Sequence, residues 1–323
     1  MRNLLPLVLI IYSCSTENKT ANKYELVNNW PLVSSEVKFG NPTGLALNSK
    51  QNLVVFHRGS RSWQNPMPIE TIKENTILEI DINSGKIINS WGSDFFIMPH
   101  GLEVDREDNI WVSDVGLHQV IKFDPLGNQV MIIGEKNKPG NDENHFNLPT
   151  DIAVAKDGSF YVSDGYGNSR IIKFSKNGDY LFEWGIYGNS KSEFNIPHAL
   201  DLDDKGYVYV ADRENNKIQK FDSLGNFIAQ WKNKSIGQLY SINVNNHDNL
   251  LVGIDYTVRE NGEPIGSDII HFDLDLNLKS RFGRSGSYSG PKARYHDVQI
   301  DKKGNIFVGD ILNNSVQMFR PIN

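Results

Sequence analysis

The chain is predicted to be all-β, a six-bladed β-propeller, on three observations. A unit of polar turn, alternating strand, Asp-centred corner and second alternating strand recurs six times, with unit starts 43 to 57 residues apart. That period, with up to four strands per unit, marks propeller blades. No long amphipathic helical pattern competes with it. One unit alone would expose both sheet faces, so neighbouring units must pack radially to bury a core.

The units begin at Pro42-Thr43-Gly44-Leu45, Pro99-His100-Gly101-Leu102, Pro149-Thr150-Asp151-Ile152, Pro197-His198-Ala199-Leu200, Tyr240-Ser241-Ile242 and Tyr295-His296-Asp297-Val298. Most continue through a turn such as Lys156-Asp157-Gly158 into a strand such as Phe160-Tyr161-Val162. A corner aspartate follows (Asp114, Asp164, Asp212, Asp310), read as a turn hydrogen-bonder, and then a strand ending in phenylalanine. The fifth unit is the least regular. Residues 24–33 lie outside the six and are expected to supply the outer strand that closes the ring, giving a propeller over 24–323. The insertions at 60–76 and 134–146 are expected to be loops at the channel mouth.

The first 13 residues join Arg2 to a short apolar run, too short to span a bilayer but suited to an export signal. The run ends at Ser13-Cys14 and resembles a bacterial lipoprotein signal. Cys14 would then carry lipid at the mature N-terminus, with residues 15–23 a polar tether and the protein held at the cell envelope. Cys14 is the only cysteine, so the propeller has no internal disulfide and must rest on packing and metal. A net charge of -6 gives no basic footprint for nucleic acid or for an anionic membrane surface. A monomer is expected.

The residue after each unit's first residue reads Thr43, His100, Thr150, His198, Ser241, His296. Histidine falls on units two, four and six, with intervals of 98 and 98 residues. Equivalent positions on innermost strands ring a propeller's channel, so alternate blades set their side chains about 120° apart. A single such histidine is an ordinary hydrogen-bonded channel residue. Three in register point to a catalytic zinc site with an open fourth position. His57, His118, His145, His247 and His271 show no such pattern and are read as structural or surface residues, His57 being the ambiguous one because Arg58 follows it.

Several motifs go beyond the repeat: Phe56-His57-Arg58-Gly59, Met98-Pro99-His100-Gly101-Leu102, Ser163-Asp164-Gly165-Tyr166-Gly167-Asn168-Ser169-Arg170, Ala211-Asp212-Arg213-Glu214-Asn215 and His296-Asp297. Together they closely resemble the peptidyl-α-hydroxyglycine α-amidating lyases, NHL-repeat propellers, over about residues 44–319. The resemblance implies cleavage of the N–C bond of a peptide ending in α-hydroxyglycine, giving a peptide amide and glyoxylate. It implies zinc on His100, His198 and His296, an essential tyrosine at Tyr166, and site arginines at Arg58 and Arg213. It also implies a structural calcium held in part by Leu45, Leu102 and Asp297. Arg170 and Arg61 are read as structural. Three positions in two motifs depart from the family pattern: Gly167 stands where animal members usually carry cysteine, and Arg294-Tyr295 stands where Met-Pro is common.

Two other functions share the fold. A non-catalytic NHL propeller binding peptide or glycan would need no set of metal ligands, tyrosine and arginines. A calcium-dependent lactonase-type hydrolase would need a cage of acidic and amide side chains in the channel, where the ring reads His, Thr and Ser.

Overall fold

A computed structural model describes residues 24–32, 37, 39–284 and 291–322. The expected signal, Cys14 and the polar tether lie outside the described residues. Six antiparallel sheets form the blades. Blade one runs Pro42–Leu47, Asn52–His57, Ile77–Asp81, Ile87–Trp91, and blade two Pro99–Val104, Ile110–Asp114, Gln119–Phe123, Gln129–Ile133. Blade three is Asp151–Val154, Phe160–Asp164, Arg170–Phe174, Tyr180–Trp184, and blade four is Pro197–Leu202, Val208–Asp212, Lys217–Phe221, Phe227–Lys232. Blade five is Gln238–Asn245, Leu250–Val258, Asp268–Asp273, Leu278–Gly283, its long second strand also pairing with Pro264–Gly266. Blade six draws only three strands from its own unit, Tyr295–Ile300, Ile306–Asp310 and Ser315–Pro321, and takes Tyr24–Leu26 as its outer strand.

That pairing sets Tyr24 opposite Pro321 and Leu26 opposite Phe319, so the first described strand closes the ring against the last. The innermost strands touch in sequence round the circle, and the first also touches that of blade six. Among the described residues the only helix is the 3-10 turn Arg213–Asn215.

Alternation within the second strands explains the core. In blade one, Val54 and Phe56 pack toward blade two with Val112 and Phe123, while Leu53 and Val55 pack toward blade six with Phe307 and Met318. Each of the six apolar clusters fills one blade-to-blade interface in this way. A strand buried on both faces must be apolar on both, and each large side chain buried there contributes about 1.5–3 kcal/mol.

The turns are equally local. Asp105 accepts the amides of Glu107 and Asn109, both at 3.0 Å, and Asp108 takes a positive φ of 61° to bring the chain back. Asp203, Asp222, Asp273 and Asp301 repeat the device.

The corner aspartates tie each second strand to the loop that enters its blade. Asp114 accepts the amides of Ile97 and Met98, Asp164 that of Asn147, Asp212 that of Asn195 and Asp310 that of Arg294. In blade five the corner is Asp255, which accepts from Gly237 and Asp268. In blade one it is His57, opposite Pro42 as Asp114 is opposite Pro99. Its Nδ1 accepts the amides of Gly40 at 3.3 Å and Gly59 at 3.0 Å. His57 is therefore a structural residue. Arg58 and Arg213 each follow a corner, which aims both at the channel mouth from blades one and four, on opposite sides of the ring.

Candidate active site

Register shifts in the innermost strands create the site. They fall between Pro42 and Gly44, Pro99 and Leu102, Pro197 and Ala199, Leu239 and Ser241, and Tyr295 and Asp297. A bulged residue escapes the alternation of its strand and can be re-aimed. The ring is thus Thr43, His100, Thr150, His198, Tyr240 and His296. The expected Ser241 is displaced by one position. Leu239 sits opposite the corner Asp255, so Tyr240 takes the bulge and Ser241 turns to bond Asp297 at 2.6 Å.

The three histidine rings lie 4.6 to 4.9 Å apart between centroids. Each Nδ1 donates to a backbone carbonyl of the next blade: His100 to Thr150 at 2.6 Å, His198 to Tyr240 at 2.6 Å and His296 to Thr43 at 2.9 Å. Those bonds leave the Nε2 lone pairs facing the axis, the usual arrangement behind metal-bound imidazoles. One ligand atom from each falls within 4.8 Å of the others. Burial first holds all three well below the ordinary histidine range, with Arg58 adding to it at His100 and the neighbouring His100 ring adding to it at His198 and His296, which favours the neutral form. Three buried imidazole nitrogens that carry no ring proton and converge on one point fit a divalent cation.

Tyr166 closes the cluster from above, its hydroxyl 3.0 Å from Nε2 of both His100 and His198. Arg213 donates to that hydroxyl at 3.3 Å and pairs with Glu214 at 2.8 Å. Burial pushes the Tyr166 phenol up, with Arg213 and Arg58 pulling the other way. Arg58 is 3% exposed, and its Nε donates to the carbonyl of Pro99 at 3.0 Å while Nη2 is buried with no partner among the described residues. Burial pulls its guanidinium down to about 10. Trp63, from the 60–76 insertion, packs 5.0 Å from Tyr166 and 5.3 Å from Arg58, so this loop does reach the site. The 134–146 insertion instead wraps Arg170, which donates to the carbonyls of Asn141, Asp142 and His145.

Below the histidines, Asp297 accepts the amide of Leu45 at 2.6 Å, and Gly44 lies so close to Leu102 that a Cβ there would meet Leu102 Cβ at 2.6 Å. Leu45, Leu102 and Asp297 are therefore neighbours. Burial first pushes the Asp297 carboxyl up to about 7 and Asp201 up to about 6, and also raises Asp151 and Glu103. Asp151, Asp201 and Glu103, along with Tyr240 and Trp63, join the site without having been expected there from the sequence. Asp201 and Glu103 each stand four residues after the first residue of their unit, Pro197 and Pro99, and that shared spacing was the available signal for the two.

A propeller that converges three histidines, a tyrosine and two arginines on one mouth is an enzyme-type propeller. The NHL repeat model matches residues 146–174 and 194–221. A probable peptidyl-α-hydroxyglycine α-amidating lyase of Caenorhabditis elegans is 34% identical over 87% of this chain and 82% of its own length. The chain belongs to the peptidyl-α-hydroxyglycine α-amidating lyase family. Peptidyl-glycine α-amidating monooxygenase B of Xenopus laevis is 36% identical over 91% of this chain but 35% of its own length, so the chain spans about a third of that relative. Among solved structures, a gluconolactonase of Xanthomonas campestris aligns with a TM-score of 0.62 at 14% identity, covering 88% of each chain, a likeness of fold.

Proposed function

We propose that the protein is a zinc-dependent lyase that cleaves peptidyl-α-hydroxyglycine, or a related N-acyl hemiaminal, to an amide and glyoxylate. The observation that carries this reading is the contact of the Tyr166 hydroxyl with two histidines of a neutral three-histidine cluster. His100, His198 and His296 would hold the zinc, which supplies Lewis acidity toward a substrate oxygen and positive charge beside Tyr166.

Ionised by the adjacent Arg213 and Arg58 guanidiniums and by the charge a bound zinc would add, Tyr166 would take the substrate's hydroxyl proton as phenolate. The O–H electron pair then forms the aldehyde C=O, the C–N bond breaks with its electrons on nitrogen, and Tyr166 returns the proton to that amide nitrogen. Arg58, whose buried Nη2 lacks a partner among the described residues, binds the substrate carboxylate. Arg213, already engaged with Glu214, steadies charge on the Tyr166 oxygen. Trp63, packed against Tyr166 and Arg58, shields those two from solvent. A structural calcium at Leu45, Leu102 and Asp297 would offset the repulsion among the channel carboxylates. Export on a lipid at Cys14 belongs to the same reading and rests on sequence.

Zinc analysis of the purified protein, followed by glyoxylate detection with an N-benzoyl-α-hydroxyglycine substrate, tests the proposal. Protein that carries about one zinc per chain yet releases no glyoxylate would overturn it.

A further inference from the structure

Three arginines reach the mouth, and only one of them is matched by a carboxylate. Arg213 pairs with Glu214, while Arg58 and Arg294 have no carboxylate partner among the described residues. Arg294 is half-buried. Its Nε donates to the Tyr240 hydroxyl at 3.2 Å, its Nη2 bonds the same oxygen, and its guanidinium lies 5.3 Å from the Tyr240 ring and 4.8 Å from that of Tyr256. Tyr240 in turn packs 5.7 Å from His296 and 5.1 Å from His198. Because its oxygen accepts from Arg294, its proton is available to donate.

The placement of the two unmatched cations is directional. Arg58 leans onto blade two through Pro99, and Arg294 leans onto blade five through Tyr240. Blades two and five face each other across a six-bladed ring. A substrate whose terminal carboxylate meets Arg58 therefore extends its acyl side toward Arg294.

We propose that Arg294 and Tyr240 form a second anion subsite, so that the preferred substrate carries an acidic residue immediately before the reacting glycine. The inference rests on the lyase reading for the substrate's orientation. Arg294 is then a specificity-determining residue, which touches the substrate away from the bond that breaks. A partly desolvated guanidinium and a phenol donor facing one carboxylate are worth roughly a tenfold preference, about 1.4 kcal/mol.

The test uses unreactive ground-state mimics, N-acetyl-glutamyl-glycine and N-acetyl-glutaminyl-glycine, titrated calorimetrically into the zinc-loaded protein. The glutamyl compound is expected to bind about tenfold tighter, with the preference falling to under about threefold in Arg294→Met and to an intermediate value in Arg294→Lys. Equal affinities in the wild-type protein, binding of neither compound, or a preference that survives Arg294→Met would overturn the proposal. The wild-type comparison decides even if a variant fails to fold. Glyoxylate release from a neutral substrate tests the lyase reading separately, so a failure of the subsite is told apart from a failure of that reading.

Discussion

The Tyr166 hydroxyl lies 3.3 Å from Nη1 of Arg213, and the guanidinium carbon of Arg213 lies 5.3 Å from the Tyr166 ring. The cation therefore addresses both the oxygen and the π-face of the residue proposed to move the proton. Tyr166→Phe keeps the ring and its packing against Trp63 but removes the oxygen. Turnover is expected to fall by about 100-fold or more, with zinc content unchanged. Unchanged turnover would remove Tyr166 from the mechanism.

Arg58→Lys keeps a positive charge but loses the planar fork. A residue that binds the substrate carboxylate should then raise KM more than it lowers kcat, with kcat/KM down by roughly 10–100-fold. Steady-state kinetics separates the two. A fall confined to kcat would assign Arg58 to the chemical step instead.

Asp297 is pushed up to about 7 first by burial, with Asp201 adding repulsion. A cation that neutralises this group binds the folded chain alone and stabilises it by mass action. Calcium in excess over its dissociation constant is expected to raise Tm by on the order of 5 °C. In Asp297→Asn that shift should vanish. A calcium response of equal size in the variant would place the ion elsewhere.

Much of this was legible because the propeller repeats: His100, His198 and His296 keep one register across alternate blades, and periodicity alone brings them together. Blade five broke the pattern because its register is set by Leu239 opposite Asp255, and not by the hydroxyl that Ser241 shares with Thr43 and Thr150. His57 was opaque for a related reason. It performs the corner task with an imidazole nitrogen where the other blades use a carboxylate, so residue type hid the equivalence. Trp63 and Arg294 reach the site from loops, whose paths no strand periodicity encodes.

His57 also predicts how the fold responds to acid. The ring is buried, accepts two amides through Nδ1, and leaves Nε2 without a partner among the described residues. Burial lowers its pKa from 6.5 to about 4, with Glu74 opposing. The folded-state value is depressed, so between pH 6.5 and 4 the unfolded chain binds a proton that the folded chain does not. Stability from this group is therefore present above about pH 6.5 and lost as pH falls toward about 4, amounting to about 2 kcal/mol by about pH 5. His57→Asn retains an acceptor at the corner and does not titrate. Urea unfolding at about pH 7 and about pH 5 should show a drop in the wild-type protein that is smaller by about 2 kcal/mol in the variant. Equal drops would mean that another group, such as His271 with its pKa also lowered to about 4, carries the acid sensitivity.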